Sequence, residues 1–271
     1  MRLNKFISES GVCSRREADK WIADGRVSVN GAIATLGTQV GEADDVRIDG
    51  APIGQKKARV YIALNKPVGI TSTSEAHVAG NIVDLVGYEE RIFPVGRLDK
   101  DSEGLILLTN DGDIVNEILR SENNHEKEYL VTVDRPITDL SLTMLASGVR
   151  IMGETTKPAK VSRIGERGFR IILTQGLNRQ IRRMCSALGY QVRRLQRVRI
   201  SNIHLGSLAP GQWRRLTEAE LSALLPKKHH SPRSACDGKP SDHERPVAAR
   251  QSGSAALRAS QRKKSGPWPV Q

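Results

Sequence analysis

Gly96-Arg97-Leu98-Asp99-Lys100-Asp101-Ser102-Glu103-Gly104 runs directly into Leu105-Ile106-Leu107-Leu108-Thr109. An arginine stands two residues before an aspartate in a polar loop, and the loop opens a short, unbroken apolar run, the pattern of a loop entering a buried strand. Such a strand is a rigid support, so groups at its mouth are held in place. Asp99 alone says little, because loop aspartates ordinarily make a local turn or cap a helix. Asp99, Asp101, Glu103 and Gly104 also begin like a calcium loop. That reading fails: the twelfth position, which needs a bidentate glutamate, is Asn110, and the residues between are strand-like.

At 271 residues the chain is long enough for one or two domains with cores of their own. It carries 42 Lys+Arg against 30 Asp+Glu, a formal net charge of +12, so a polyanion is the natural partner. No apolar segment approaches the roughly 20 residues of a membrane span, and the N-terminus has no apolar signal core, so no membrane partner is expected. Cys13, Cys185 and Cys236 are odd in number and far apart, with neither zinc nor disulfide spacing; a reducing cytoplasm fits them best. The histidines are scattered, and His229-His230 lies in a polar tail, so no metal site is expected.

In chain order, residues 1–48 read as a small α/β unit. Ser14 and Glu17 have capping-box spacing, Ala18, Trp21 and Ile22 supply an inward helical face, and Gly25 stops the helix. Val27 and Val29 alternate toward the tight-turn pair Asn30-Gly31, and Ala32-Ile33 begins the return strand. Residues 49–58, with Asp49-Gly50, Pro52, Gly54 and a polar run, read as a linker. A larger domain, 59–226, follows. It opens with a strand at Tyr61 to Leu64 leading into Asn65-Lys66-Pro67-Val68-Gly69. After the organising loop, Ile114, Val115, Ile118 and Leu119 recur at helical spacing, and Lys127 to Val133 is a strand by its β-branched content. A helix is expected at Asp139 to Ala146, with strands near Lys160 to Ile164 and Gly168 to Leu173.

Between Gln175 and Arg199 there are seven arginines and no acid. Arg179, Arg182 and Arg183 stand at i, i+3 and i+4 of a helix whose other face carries Ile181, Cys185 and Leu188. Three guanidinium groups on one ridge can neutralise phosphates, or one can pair with a buried carboxylate. From Lys227 the composition shifts: residues 227–271 hold ten Lys+Arg against three Asp+Glu and have no apolar period. A tail of that kind cannot offset its chain entropy by burial and is expected to be disordered.

The phrase Gly96-Arg97-Leu98-Asp99, Ser102, Gly104, the aliphatic run and Thr109-Asn110 resembles the signature of the RsuA-type RNA pseudouridine synthases. Asn65 to Gly69, Lys127-Glu128-Tyr129 and Gln180-Ile181-Arg182 resemble further motifs of that family, in family order. The stretch from Arg2 to Phe6, through Ser14-Arg15-Arg16, to Gly25 and Gly31 resembles an S4 RNA-binding domain. The resemblance implies an α+β fold: an S4 domain tethered to a catalytic domain with a central, mainly antiparallel sheet. It implies isomerisation of uridine to pseudouridine without metal or cofactor, by a cytoplasmic monomer. Within the family it points to 23S ribosomal RNA, with a transfer RNA as a further candidate.

The family's roles carry over residue by residue. Asp99 is the catalytic carboxylate, and Arg182 is its salt-bridge partner. Tyr129 stacks on the target base, Arg97 fills the place the base vacates, and Leu173 lies beneath the base. Arg179, Arg183 and the later arginines are assigned to RNA, as are Lys5, Arg15, Arg16 and Arg26 of the S4 segment. A carboxylate beside a developing oxocarbenium is chemically apt for breaking a glycosidic bond. Two other readings stand beside this one. A non-catalytic RNA-binding or ribosome assembly factor has no need of Asp99, Tyr129 and Arg182 together, and a metal-dependent nuclease would use Asp99, Asp101 and Glu103 as ligands.

Overall fold

The computed structural model describes residues 1–54, 57–119 and 125–225. Residues 55–56 of the expected linker, the side chain of Leu119 and the expected disordered tail at 227–271 lie outside it. The N-terminal unit has two helices, α1 (Leu3–Glu9) and α2 (Arg15–Ala23), and four short strands, β1 (Val27–Val29), β2 (Ala32–Ile33), β3 (Val46–Ile48) and β4 (Ala51–Pro52). The strands order as β2-β1-β3-β4. Ser14 and Glu17 form the expected capping box, and Leu3, Ile7, Ala18, Ile22, Val27 and Val46 make a core of their own. Asn30 and Gly31 both have positive φ, as a two-residue hairpin with matching twist demands.

The structure corrects the reading of a linker that starts at residue 49. Asp49 (φ 51°) and Gly50 (φ 80°) turn β3 into β4, so 49–52 belong to the N-terminal sheet. Turn residues look alike in sequence whether they close a hairpin or open a linker.

The larger unit continues with β5 (Tyr61–Lys66), α3 (Ile82–Val86), β6 (Phe93–Val95), β7 (Glu103–Thr109), α4 (Asp113–Leu119), β8 (Lys127–Val133), α5 (Asp139–Ser147), β9 (Arg150–Ile151), β10 (Glu154–Thr155), β11 (Lys160–Gly165), β12 (Gly168–Leu173), α6 (Gln180–Ala187), β13 (Val192–Ile200), β14 (Ile203–His204), β15 (Trp213–Arg215) and α7 (Glu218–Leu224). Its nine-stranded sheet runs β11-β12-β8-β13-β7-β5-β15, with β6 on β7 and β14 on β13. All its pairings but the one between β7 and β13 are antiparallel.

The apolar run after the organising loop is β7, buried along its length from Gly104. Leu105 and Leu107 face a core shared with α4 and α7, while Ile106 and Leu108 face another shared with α3 and β5. A strand covered on both faces needs no polar alternation, and each such side chain contributes about 1.5–3 kcal/mol by leaving water. Gly104 sits where β7 meets β13, at φ +103°. A Cβ there would lie 2.2 Å from the Arg197 carbonyl oxygen.

Strand β13 is the main departure from the sequence reading. Its Arg193, Arg194, Arg197 and Arg199 were expected to face RNA, yet β13 lies in the interior of the sheet between β8 and β7. Arg194 pairs with Glu103, and Arg199 with Glu126 and Glu128. Arg197 is 4% exposed and donates to the Leu105 carbonyl at 2.6 Å. The carboxylates that pair with Arg194 and Arg199 come from β7 and from β8 and the residue before it.

The two units touch through charge. Lys5 of α1 places Nζ 2.6 Å from the Asp113 carboxylate at the start of α4, and Arg15 lies 4.0 Å from the same oxygen. The hydrogen bond that Lys5 donates to Asp113 raises the Lys5 pKa. Cys13 and Cys185 are free and buried, and burial pushes their thiols up to about 11 and about 12. Among the described residues no helix is long and apolar enough to cross a membrane.

Helix α7 closes the larger unit. Thr217 and Glu220 form a capping box, and Arg214 grips both Glu220 oxygens at 2.7 and 2.8 Å. That hydrogen bonding holds the Glu220 carboxyl down at about 2 against an ordinary 4.5. The folded pKa is depressed, so the contribution is full above the ordinary value and is lost as pH falls toward 2. Glu220→Gln is expected to cost about 1–2 kcal/mol at neutral pH. In urea unfolding, the gap between variant and wild type should narrow progressively as pH is lowered below about 4.5.

Candidate active site

The loop from Gly96 to Ser102 joins β6 to β7 and is gripped along its length. Ser72 Oγ donates to the Leu98 carbonyl at 2.8 Å and accepts from the Leu98 N–H at 3.2 Å. The Ser102 N–H closes a turn on the Asp99 carbonyl at 3.0 Å, and the Gly69 N–H donates to the Lys100 carbonyl at 2.7 Å. Lys66, fully buried at the end of β5, donates to the Pro67 and Ile70 carbonyls, both at 2.9 Å. Burial pushes Lys66 down to about 8, against the pull of Asp101, Asp99 and Glu103. Lys66 thus fixes the loop at 67–70, which in turn fixes the backbone beside Asp99. Its tethering role had no signal in the sequence beyond its place in a short motif.

A cleft of about 670 Å³ opens beside this loop. Its lining includes Arg97, Leu98, Asp99 and Ser102 from the loop, Lys127 and Tyr129 from β8, Leu173 from β12, and Leu195 and Arg197 from β13. The segment Gln175 to Asn178 and the start of α6 complete it. Lys127, Tyr129, Leu173 and Arg197 share one face of the sheet, because Lys127 and Tyr129 are two apart on β8 while Leu173 pairs with Lys127 and Arg197 with Tyr129. Tyr129 is half-buried, Leu173 is buried and Arg97 is exposed. Four of the residues expected at the base, Asp99, Tyr129, Arg97 and Leu173, therefore converge on one cavity.

Arg182 does not join them, and the expected Asp99 to Arg182 salt bridge is not formed. Arg182 donates to the Asp101 carbonyl at 2.8 Å, to Ser102 Oγ at 3.2 Å and to the Val192 carbonyl at 3.2 Å. It holds the far side of the loop. Arg179, the residue preceding α6 and in the left-handed conformation at φ +50°, projects over the carboxylates instead. It lies 3.6 Å from Asp99 and makes two hydrogen bonds to Asp101, at 3.1 and 3.0 Å. Asp101 is thereby held below the ordinary carboxylate range, first by Arg179. Asp101 is thus tied to both arginines and is not a bystander of the loop. Arg183 folds back on Asn178.

Of the S4 cations assigned to RNA, Lys5 and Arg15 face Asp113. Arg26 pairs with Asp49 and stacks on Trp21, and Arg16 is exposed. Asp99, Asp101 and Glu103 are matched to Arg179, Arg182 and Arg194, an arrangement for ion pairing and not for ligating a cation. Two buried cations of the cleft, Lys127 and Arg197, were missed. Strand parity could have found them: each shares the face of Tyr129 or of Leu195.

Residues 60–187 match the family model for RNA pseudouridylate synthase, and residues 1–46 match the S4 domain. The chain is 56% identical over 227 residues to the Dual-specificity RNA pseudouridine synthase RluF of Escherichia coli (strain K12), covering 83% of this chain and 78% of that protein. The RluF of Salmonella typhi is 52% identical, covering 92% and 88%. The Ribosomal large subunit pseudouridine synthase B of Bacillus subtilis (strain 168) is 33% identical, covering 84% and 97%. A solved pseudouridylate synthase crystal structure superposes with a TM-score of 0.62 at 32% identity, over 83% of this chain and all of that one.

Proposed function

The chain belongs to the RNA pseudouridine synthases, enzymes that isomerise uridine to pseudouridine within RNA, and on that premise we propose that Asp99 is its catalytic carboxylate. The observation that carries this reading is the single cleft lined by Asp99, Tyr129, Leu173 and Arg97. The reaction breaks N1–C1′, turns the base and forms C5–C1′; the C5 proton leaves and N1 regains one, so atoms and electrons balance within the uridine. The Asp99 carboxylate meets the positive charge that develops at C1′. Tyr129 presents a ring face and Leu173 an apolar floor for the uracil. Arg97, exposed at the rim, reaches the gap left in the RNA when the base turns out, a step costing about a few kcal/mol of unstacking. Arg179 lies against the Asp99 carboxylate, while Arg182 secures the backbone of the loop.

We take the substrates to be 23S ribosomal RNA and a transfer RNA, in keeping with the dual specificity in the relatives' name. RNA contacts fall to Arg16 and Arg183, with Lys5, Arg15 and Arg26 available once their carboxylates yield. A single chain supplies Asp99, Tyr129, Leu173 and Arg97 to the cleft, in keeping with a monomer, and free thiols are in keeping with the cytoplasm. The test is tritium release from [5-³H]uridine in 23S ribosomal RNA and in bulk transfer RNA. Release from both, mapped to pseudouridine at defined positions, is the expected result. Release from one alone narrows the substrate; release from neither, with RNA still bound, returns the chain to the assembly-factor reading.

A further inference from the structure

Two cations face the cleft with donors to spare. Lys127 is 9% exposed, and among the described residues its ammonium group makes one hydrogen bond, a donation to the His125 carbonyl at 3.2 Å. Arg197 is 4% exposed; its Nε donates to the Leu105 carbonyl, but its Nη2 is buried without a hydrogen-bond partner. Among the described residues neither forms an ion pair. Buried charges are normally paired, and two like charges on one cavity wall are costly without an anion. Burial, and then the neighbouring Arg197 charge, push Lys127 below the ordinary lysine range, in keeping with two cations close together. Asp99 lines the same cavity from the loop and is engaged by Arg179.

We infer that Lys127 and Arg197 are the groups that stabilise the detached uracil as an anion. This rests on the reading of the cleft as the uridine site. When N1–C1′ breaks, its electron pair stays on the ring, and the charge spreads over N1, O2 and O4, while the positive charge at C1′ falls to Asp99. The sheet wall and the loop wall thus carry opposite signs toward the two halves of the breaking bond. Neutral uridine gains little from the two cations and the uracil anion gains much, which is the condition for acceleration. The same anion attacks C1′ through C5, loses the C5 proton and takes one at N1.

The discriminating experiment compares uridine with 5-fluorouridine at the target position, because fluorine makes the departing ring a weaker base that needs less help. Consumption of the target nucleoside is followed in single turnover at saturating RNA. Lys127→Met keeps the length and the apolar stem and removes the charge. It is expected to slow uridine consumption by about 10²-fold, in the range of one lost preorganised donor, and to slow 5-fluorouridine consumption at least ten-fold less, with RNA affinity unchanged. Lys127→Arg, which keeps the charge, should retain the rate to within about ten-fold.

Equal losses on the two substrates overturn the inference. So does a loss confined to affinity with a shallower salt dependence, which would mark a phosphate contact. Should Lys127→Met not fold by circular dichroism, Lys127→Gln takes its place under the same criteria. A wild-type protein that consumes neither substrate would instead sink the uridine-site reading itself.

Discussion

Asp99→Asn is expected to bind RNA with wild-type affinity and to release tritium from [5-³H]uridine at least about 10⁴-fold more slowly than wild type. The substitution keeps size and hydrogen-bonding capacity and removes only the anion that faces C1′. Folding should be little affected, because the Asp99 side chain is 32% exposed and its ion pair with Arg179 is 3.6 Å long; a contact of that kind contributes at most about 1 kcal/mol. Asp101→Asn is the informative companion. Asp101 carries the two hydrogen bonds that aim Arg179, so its loss should slow turnover by roughly ten-fold through mispositioning. Turnover by Asp99→Asn within ten-fold of wild type would remove Asp99 from the chemistry. An Asp101→Asn chain as inactive as Asp99→Asn would reassign the role between them.

Gly104→Ala is expected to lower the melting temperature by about 6–24 °C. Gly104 has φ +103°, and a methyl there would stand 2.2 Å from the Arg197 carbonyl oxygen and 2.7 Å from its nitrogen. Both atoms are backbone, so β7 and β13 must separate at their parallel junction. Strained φ and forced separation together cost about 3–6 kcal/mol, and a chain of this size loses about 2–4 °C per kcal/mol. Gly153→Ala is the control. Its φ is also positive, at 87°, but nothing lies within 4 Å, so a loss of about 1 kcal/mol is expected. Equal melting temperatures for the two variants would show that the close approach is not a constraint.

Elements marked by local pattern were legible in the sequence. Lys127 to Val133 reads as a strand because β-branched residues fill it, and β8 has those bounds. The capping box at Ser14 and the tight turn at Asn30-Gly31 are short-range chemistry that the fold leaves intact. The convergence of Asp99, Tyr129, Leu173 and Arg97 was legible through a family resemblance, not through spacing. What the sequence hid is what depends on distant partners. Arg194 and Arg199 of β13 look unopposed along the chain, and Glu103, Glu126 and Glu128 reach them only when β7 and β8 flank them. The exchange of Arg182 for Arg179 beside Asp99 turns on one left-handed residue before α6. A buried cation such as Lys66 has no compositional signature.

On the proposed reading of Lys5 and Arg15 as RNA contacts, their hold on Asp113 gives RNA binding an unusual thermodynamic character. A phosphate arriving at Lys5 displaces the Asp113 carboxylate, which is left nearby without that partner. That freed anion offsets part of the charge Lys5 brings, so fewer condensed cations leave the RNA and affinity falls less steeply with salt than a count of basic side chains suggests. The same exchange couples two equilibria. A phosphate gained at Lys5 or Arg15 is a tether to the catalytic unit given up, and by linkage a firmer tether weakens the grip on RNA to the same degree.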